Sequence, residues 1–187
     1  MTSSTTDARA RMRAAEVTFR KPTSMDGSAI WRLVKRSKPL DENSMYCNLI
    51  QCDHFADTCV LAEAGEEVIG WISAHIPPGE EDTLFIWQVA VAREARGCGL
   101  GRRMLEALLD REECADVEHL KTTITRDNEA SWALFTRFAD RIGAPIDDEP
   151  HFISDEHFDG EHATEHMVTI AVGEATGEVG AEAEKAA

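Results

Sequence analysis

The chain has few basic residues, with 19 Lys and Arg against 35 Asp and Glu, and its formal net charge at pH 7 is −16. The stretch from Asp147 to Glu184 contains no Lys or Arg at all. Such a surface repels a phosphate backbone, so nucleic acid is excluded as a partner of the bulk surface. It attracts a cationic substrate instead, although a salt-rich cytoplasm also favours an acidic surface.

Long apolar runs and paired cysteines are also missing. No run is long enough to span a bilayer, and no apolar segment of signal-peptide type follows Arg9, Arg11 and Arg13. The five cysteines contain no CxxC pair, and their odd number does not fit a disulfide framework. We therefore expect a cytoplasmic protein without membrane contact. Its length suits one domain, which we place at residues 17–172 between disordered tails at 1–16 and 173–187.

Three closely spaced glycines lie between an apolar run, Leu84–Ala92, and a helical pattern, Leu100–Leu109. Gly97, Gly99 and Gly101 allow backbone N–H groups to converge on an anion at the start of the helix. The helix dipole adds positive potential at the same point. The simplest ligand for this turn is a phosphate or a pyrophosphate.

The glycine turn differs from two well-known phosphate loops. In a P-loop, a lysine and a hydroxyl residue follow the last glycine, but here Arg102 follows Gly101. The dinucleotide fingerprint, Gly-x-Gly-x-x-Gly, does not fit either, because the three glycines are each two positions apart. The run Arg96-Gly-Cys-Gly-Leu-Gly101 instead matches Arg/Gln-x-x-Gly-x-Gly/Ala, and thereby resembles the acetyl-CoA site of the GNAT superfamily of N-acyltransferases. Cys98 is better explained as a small residue in a tight turn than as a nucleophile, since no sequence neighbour favours its thiolate.

The elements around the turn extend this resemblance over residues 17–171. We expect a strand at Leu120–Thr125 and then a helix for which Asp127 or Asn128 is the N-cap. The resemblance implies a GNAT fold of α/β (α+β) class, with a mixed, mostly antiparallel sheet flanked by helices and strands splayed at the acetyl-CoA site. It also implies acetyl-CoA as co-substrate, with the backbone N–H of Val89 facing the thioester oxygen. The residues it assigns to acetyl-CoA are Val89, Ala90, Val91, Arg96, Gly97, Cys98, Gly99, Leu100, Gly101, Arg102, Asn128 and Phe135.

Phe135 stands where many members of the superfamily carry a tyrosine as general acid. Phenylalanine cannot donate a proton, so the thiolate leaves unaided or another group or water acts. Tyr46 is the only tyrosine of the chain.

The remaining elements follow from local patterns. We expect a first strand at Val17–Arg20, a helix capped by Ser24 or Asp26, a helix at Met45–Cys52 and a hairpin of the strands Thr58–Glu63 and Val68–His75. Towards the C-terminus we expect irregular chain over Ala144–Phe158 and a last strand at Thr164–Val172.

Four histidines alternate with acids near the C-terminus: His151, His157, His162 and His166. A zinc site usually has compact Cys/His spacing and no cysteine lies here, so we expect no metal. Two alternatives stay open, a solvated acidic loop and an acceptor pocket in which carboxylates hold a cationic amine.

A narrower resemblance rests on residues 39–55, PLDENSMYCNLIQCDHF, on residues 85–89, FIWQV, and on residues 157–165, HFDGEHATE. These runs resemble the L-2,4-diaminobutyrate acetyltransferases of ectoine synthesis, a family within the superfamily. The resemblance implies acetyl transfer to the side-chain amine of L-2,4-diaminobutyrate, a homodimer and a salt-exposed bacterial host. It places five residues at the acceptor, with Glu165, His162 and Tyr46 as candidate catalytic groups. They are Asp41, Tyr46, Trp87, His162 and Glu165.

Two other functions remain open on the residues alone. An acidic pocket also suits a polyamine or an aminoglycoside as acceptor. The phenylalanine at position 135 is compatible with a sensor that binds acyl-CoA without transferring the acetyl group.

Overall fold

The computed structural model describes residues 16–38, 40 and 42–173. Asp41 and the predicted tails, apart from Glu16 and Gly173, lie outside these residues. None of the helices in the described part has the length and the apolar character that a membrane crossing requires. The strands are β1 Val17–Arg20, β2 Val60–Ala64, β3 Glu67–His75, β4 Thr83–Val91, β5 His119–Thr125, β6 Ile146–Phe152 and β7 Glu165–Ala171; the helices are α1 Gly27–Arg36, α2 Met45–His54, α3 Leu100–Leu109, α4 Glu129–Ile142 and α5 Ser154–His157.

The seven strands form a mixed sheet in the order β1-β2-β3-β4-β5-β7-β6. The chain divides into two compact units. In the described part, the first unit contains residues 16–75 and 87–115, and the second contains residues 76–86 and 116–173. The predicted mixed, mostly antiparallel sheet with flanking helices is confirmed.

The first unit begins with an antiparallel meander of β1, β2 and β3. Gly65 lies in the turn of the β2–β3 hairpin with a φ of +63°, a backbone conformation that is strained for any residue with a side chain. The buried core of this unit joins residues of α1, α2 and the strands, which fixes the helices on the sheet. Its members are Ile30, Leu33, Val34, Cys52, Cys59, Leu61, Val68, Trp71 and Ala90.

Helices α1 and α2 approach each other at a glycine. A Cβ on Gly27 would lie 2.5 Å from Cδ2 of Leu49, so a larger residue would require the Leu49 side chain to move. Ser44 caps α2 by accepting a hydrogen bond from the backbone N–H of Cys47 at 3.1 Å. Asp26 stands at the N-cap position of α1, one of the two predicted positions, but its side chain makes no capping hydrogen bond to the helix; its carboxylate accepts from the backbone N–H of Thr23 instead.

The second unit contains the parallel pair. The first three residues of β4, Thr83–Phe85, pair with His119–Lys121 of β5. Strand β7 runs antiparallel to β5, and its buried residues face the buried residues of β5, as Ile170 faces Leu120. This register places one apolar face inward along both strands.

The predicted irregular segment Ala144–Phe158 is wrong in part. Residues Ile146–Phe152 form β6, which pairs with β7 at the edge of the sheet, and Ser154–His157 form the short α5. Pro150 fits an edge strand because the missing N–H faces no second partner strand.

Candidate active site

The glycine turn has the geometry of an anion site at a helix start. Gly97 and Gly99 have φ values of +76° and +74°, and Gly99 directly precedes α3. No side chain caps α3, which leaves the first-turn N–H groups directed towards the turn. The helix is held by its buried face, Leu100, Met104, Leu105 and Leu108.

A second glycine brings α3 close to the sheet. A Cβ on Gly70 of β3 would lie 2.7 Å from Sδ of Met104, so a larger residue would displace the Met104 side chain that packs there. The Met104 side chain of α3 therefore packs directly against the backbone of β3 within the first unit.

The arginines of the turn have partners inside the protein, which the sequence did not predict. Nε of Arg96 donates to the carbonyl of Val91 at 3.0 Å and ties the turn to the end of β4. Nη1 of Arg102 lies 2.5 and 2.6 Å from the two carboxylate oxygens of Glu106. A Cβ on Gly99 would lie 3.7 Å from Nη2 of Arg102, so this guanidinium remains beside the turn.

Two residues that the sequence assigns to acetyl-CoA lie in or before α4 of the second unit. Oδ1 of Asn128 accepts from the backbone N–H of Ser131 at 3.1 Å, so Asn128, and not Asp127, is the cap. Phe135 is only 2% exposed and packs as a core residue. It carries no proton donor, as the sequence indicates.

The segment before α2 is joined to β4 by a hydrogen bond within the first unit. Nδ2 of Asn43, one residue before the α2 cap, donates to Oε1 of Gln88 at 3.4 Å. Gln88 is 6% exposed, whereas its neighbour Trp87 is 50% exposed and Tyr46, on the first turn of α2, is 71% exposed. Two large aromatic rings of this unit therefore remain open to solvent.

The indole of Trp87 packs against a histidine that the sequence analysis did not single out. The ring centroids of His75 and Trp87 lie 6.4 Å apart in an edge arrangement, and His75 also contacts Phe55 at 5.5 Å. Partial burial lowers the pKa of His75, which favours its neutral form.

His162 and Glu165 lie close together in the second unit. Nε2 of His162 is 3.9 Å from Oε1 of Glu165, the first residue of β7. Nδ1 of His162 lies 2.8 Å from the carbonyl of Ala163, and this contact is a hydrogen bond when Nδ1 carries the proton. In the neutral ring, the atom that faces Glu165 is then the proton acceptor.

Two hydrogen bonds from Ser154 hold the loop that carries His162. Ser154 donates its hydroxyl to the carbonyl of His162 at 2.6 Å, and its backbone N–H donates to Oγ1 of Thr164 at 3.0 Å. The His162 ring lies 4.7 Å from the ring of Phe158. These contacts restrict the imidazole before any ligand binds.

The four C-terminal histidines do not share one ligand set. Nδ1 of His157 accepts from the N–H of Ile153 at 2.9 Å, and Nδ1 of His166 lies 3.4 Å from Oδ2 of Asp148. A different group in the described residues has metal-ligand atoms within 4.8 Å of one another. Its carboxylates are exposed, and exposed acidic groups are common without a metal; the residues are Asp82, Glu118 and His119.

All five cysteines are free thiols. Burial raises the pKa of Cys52 and Cys59 to about 12, so these two are thiols and not thiolates at neutral pH. Cys98 is partly exposed, and its Sγ lies 3.9 Å from the carbonyl of Arg96.

The profile of the acetyltransferase (GNAT) family matches residues 28–139. The L-2,4-diaminobutyric acid acetyltransferase of Halomonas elongata is 46% identical over 158 residues, which are 84% of this chain and 82% of the relative. The enzyme of the same name from Chromohalobacter salexigens is 49% identical over 153 residues, 81% of this chain and 79% of the relative.

A solved structure agrees with these sequence comparisons. The diaminobutyrate acetyltransferase EctA of Paenibacillus lautus, in complex with its substrate L-2,4-diaminobutyric acid and coenzyme A, superposes with a TM-score of 0.81 at 35% identity. The match covers 85% of this chain and 96% of that one.

Proposed function

Because this chain belongs to the acetyltransferase (GNAT) family and, within it, to the L-2,4-diaminobutyric acid acetyltransferases, we propose that it moves the acetyl group of acetyl-CoA to the side-chain amine of L-2,4-diaminobutyrate. The observation that carries the proposal is the similarity to enzymes of that name over more than four fifths of the chain. The product is the N4-acetyl compound that ectoine synthesis requires.

The donor half of the reaction uses β4 and the start of α3. The first-turn N–H groups after Gly99 bind the pyrophosphate of acetyl-CoA, and Arg102 keeps its guanidinium beside them while its Nη1 is paired with Glu106. The backbone N–H of Val89 donates to the thioester oxygen, where negative charge develops during attack. The uncapped helix start supports this assignment.

The acceptor half needs an amine without its extra proton. An alkylamine resembles lysine, whose pKa is about 10.4, so most of the substrate is ammonium at neutral pH. Trp87 offers an aromatic face to that ammonium, and Asp41 and Glu165 offer carboxylates. The base is Glu165, directly or through a water, or His162 through Nε2; the contact of His162 with Ala163 supports the second assignment.

The bond changes follow from these roles. The free amine attacks the thioester carbonyl and forms a C–N bond. The tetrahedral intermediate then loses an N–H proton, which the departing thiolate or water takes up, its C–S bond breaks, and CoA leaves as the amide forms. A thiol pKa near 8.5 makes this leaving group tolerable without an acid, which accommodates the phenylalanine at position 135. Tyr46 is the candidate donor if a proton is supplied.

An assay of CoA thiol release tests the proposal. The purified chain is given acetyl-CoA with L-2,4-diaminobutyrate, spermidine or an aminoglycoside, and the product is mapped by NMR. We expect turnover of L-2,4-diaminobutyrate with the acetyl group on N4. Turnover of spermidine alone would overturn the substrate, and CoA binding without turnover of any amine would identify an acyl-CoA sensor.

We further propose that the protein is a homodimer in the cytoplasm of a salt-exposed bacterium. The net charge of −16 and the free thiols support the compartment and the host. Light scattering after size exclusion tests the dimer, since a monomer mass at assay concentration would contradict it.

A further inference from the structure

Trp87 is proposed to contact the ammonium group of the acceptor, yet its indole is only partly surrounded by protein. The indole is 50% exposed on a strand whose next residue, Gln88, is nearly buried. A side chain this exposed can occupy several χ rotamers unless a neighbouring side chain packs against it. An aromatic face that receives an alkylammonium must have a fixed orientation, because the attraction depends on the cation lying over the ring.

His75 is a residue of the first unit that contacts this indole. Its ring meets the Trp87 ring at 6.4 Å with an angle of 72° between the planes. Edge-to-face pairs at this distance are favourable beyond the area they bury. His75 ends β3, so its backbone is fixed by the sheet.

His75 is itself supported from the core. Its ring also contacts the ring of Phe55, at 5.5 Å with an interplanar angle of 42°. Phe55 follows the last residue of α2, donates its backbone N–H to the carbonyl of Gln51 and packs on the buried core of the first unit. A continuous row of rings, Phe55–His75–Trp87, therefore connects the core with the exposed indole.

The chemistry of His75 suits this place beside a cationic acceptor. A lysine or arginine would bring a permanent positive charge next to the indole and repel the ammonium. Burial lowers the pKa of His75, so at neutral pH the ring packs as an uncharged aromatic.

We propose that His75 is a positioning residue that orients Trp87 and thereby sets the affinity for the amine acceptor. This role rests on the proposed function, because it takes Trp87 as a contact of the acceptor. It concerns the acceptor alone and leaves the acetyl-CoA site unchanged.

The test measures KM for L-2,4-diaminobutyrate and KM for acetyl-CoA separately in His75→Ala and His75→Phe. We expect His75→Ala to raise KM for the diamine about fivefold, since the energy of an aromatic edge contact corresponds to a change of about that size in affinity. KM for acetyl-CoA should stay within about twofold of the wild type. His75→Phe keeps a ring against Trp87 and should stay near the wild type. His54→Ala, which removes an exposed histidine at the end of α2, is the matched control and should change neither constant.

A double-mutant cycle with Trp87→Ala separates positioning from a general structural effect. If His75 acts through Trp87, then His75→Ala has no further effect on KM for the diamine once Trp87 is alanine. Additive effects, or an equal rise in both KM values, would overturn the inference. A wild type that does not acetylate L-2,4-diaminobutyrate would overturn the proposed function and this inference together, whereas an active wild type and an unchanged His75→Ala would overturn only the role of His75.

Discussion

Arg96 donates through Nε to the backbone carbonyl of Val91 at 3.0 Å, and this contact joins the glycine turn to the last residue of β4. Arg96 is the first residue of the motif assigned to acetyl-CoA, yet its Nε atom donates to the protein backbone and not towards a ligand. The contact fixes the turn relative to the strand whose backbone would meet the thioester, so Arg96 acts at least in part by holding the turn in place.

Replacement of Arg96 by methionine should therefore raise KM for acetyl-CoA. Arg96 is exposed, so water competes for this hydrogen bond, and its loss predicts about a threefold to tenfold increase, the range of an ordinary hydrogen bond, with little change in KM for the diamine. Initial rates with each substrate varied in turn measure the effect. Arg93→Met, at an exposed arginine three residues earlier, is the control, and an equal effect of both variants would show that only local charge matters.

Gly99 and Gly79 form a matched pair for a test of the turn. Both have positive φ, +74° and +85°, and a Cβ on either meets no atom closer than 3.7 Å. The backbone strain of an alanine is therefore similar at the two sites, about 1–2 kcal/mol. Gly99→Ala should raise KM for acetyl-CoA and Gly79→Ala should not, although both lower thermal stability.

Gly99→Val extends this test, because a branched Cβ also blocks the approach of a pyrophosphate to the backbone. We expect a larger rise in KM for acetyl-CoA than in Gly99→Ala, with kcat at saturating acetyl-CoA less affected. Calorimetric titration with CoA provides the second measurement. Unchanged CoA affinity in Gly99→Val would place the pyrophosphate elsewhere.

The sequence predicts best where one local pattern decides the structure. Helix α3 has the predicted bounds, Leu100–Leu109, because glycines precede it and its apolar residues recur at helical spacing. Strand β6 escapes prediction because it lies at the edge of the sheet and most of its side chains are exposed, so that no apolar alternation marks it.

Contacts between distant residues explain what the sequence misses at the site. The motif names Arg96 and Arg102 but does not show that Val91 and Glu106 hold them. His75 belongs to a strand and to none of the runs that carry the resemblance. Asn43 and Gln88 lie in two of these runs, but the sequence does not show that they meet across 45 positions of the chain. Only the folded chain brings such residues together.

An ion pair in the first unit predicts how stability depends on pH. Arg20 binds both carboxylate oxygens of Asp26 at 2.8 Å, and this hydrogen bonding lowers the pKa of Asp26 to about 2 from an ordinary value of 3.8. The lowered pKa means that the pair stabilises the fold fully above about pH 4 and that its contribution disappears as the pH falls towards 2.

Asp26→Asn should reduce the free energy of unfolding at pH 7 by at most about 2 kcal/mol, because Arg20 is partly exposed and solvent screens the pair. Urea unfolding at pH 7 and near pH 3 measures the difference from the wild type, which should shrink at the lower pH. Asp53→Asn, at an exposed carboxylate, is the control. A difference that does not depend on pH would contradict the prediction, because it would show that the effect of the substitution does not come from the charge of Asp26.

Two substitutions distinguish Glu165 from His162 as the proposed base. Glu165→Gln should lower kcat by about a hundredfold or more if the carboxylate takes the proton, whereas His162→Asn should do so if Nε2 takes it. Neither variant should change KM for acetyl-CoA, since both residues are assigned to the acceptor. Glu161→Gln, at an exposed acid of the same loop, is the control for charge. If kcat of Glu165→Gln recovers at higher pH, where more of the diamine is unprotonated, the result would support a role of Glu165 in removing the ammonium proton. A parallel loss of CoA affinity would refute the placement of Glu165 on the acceptor side.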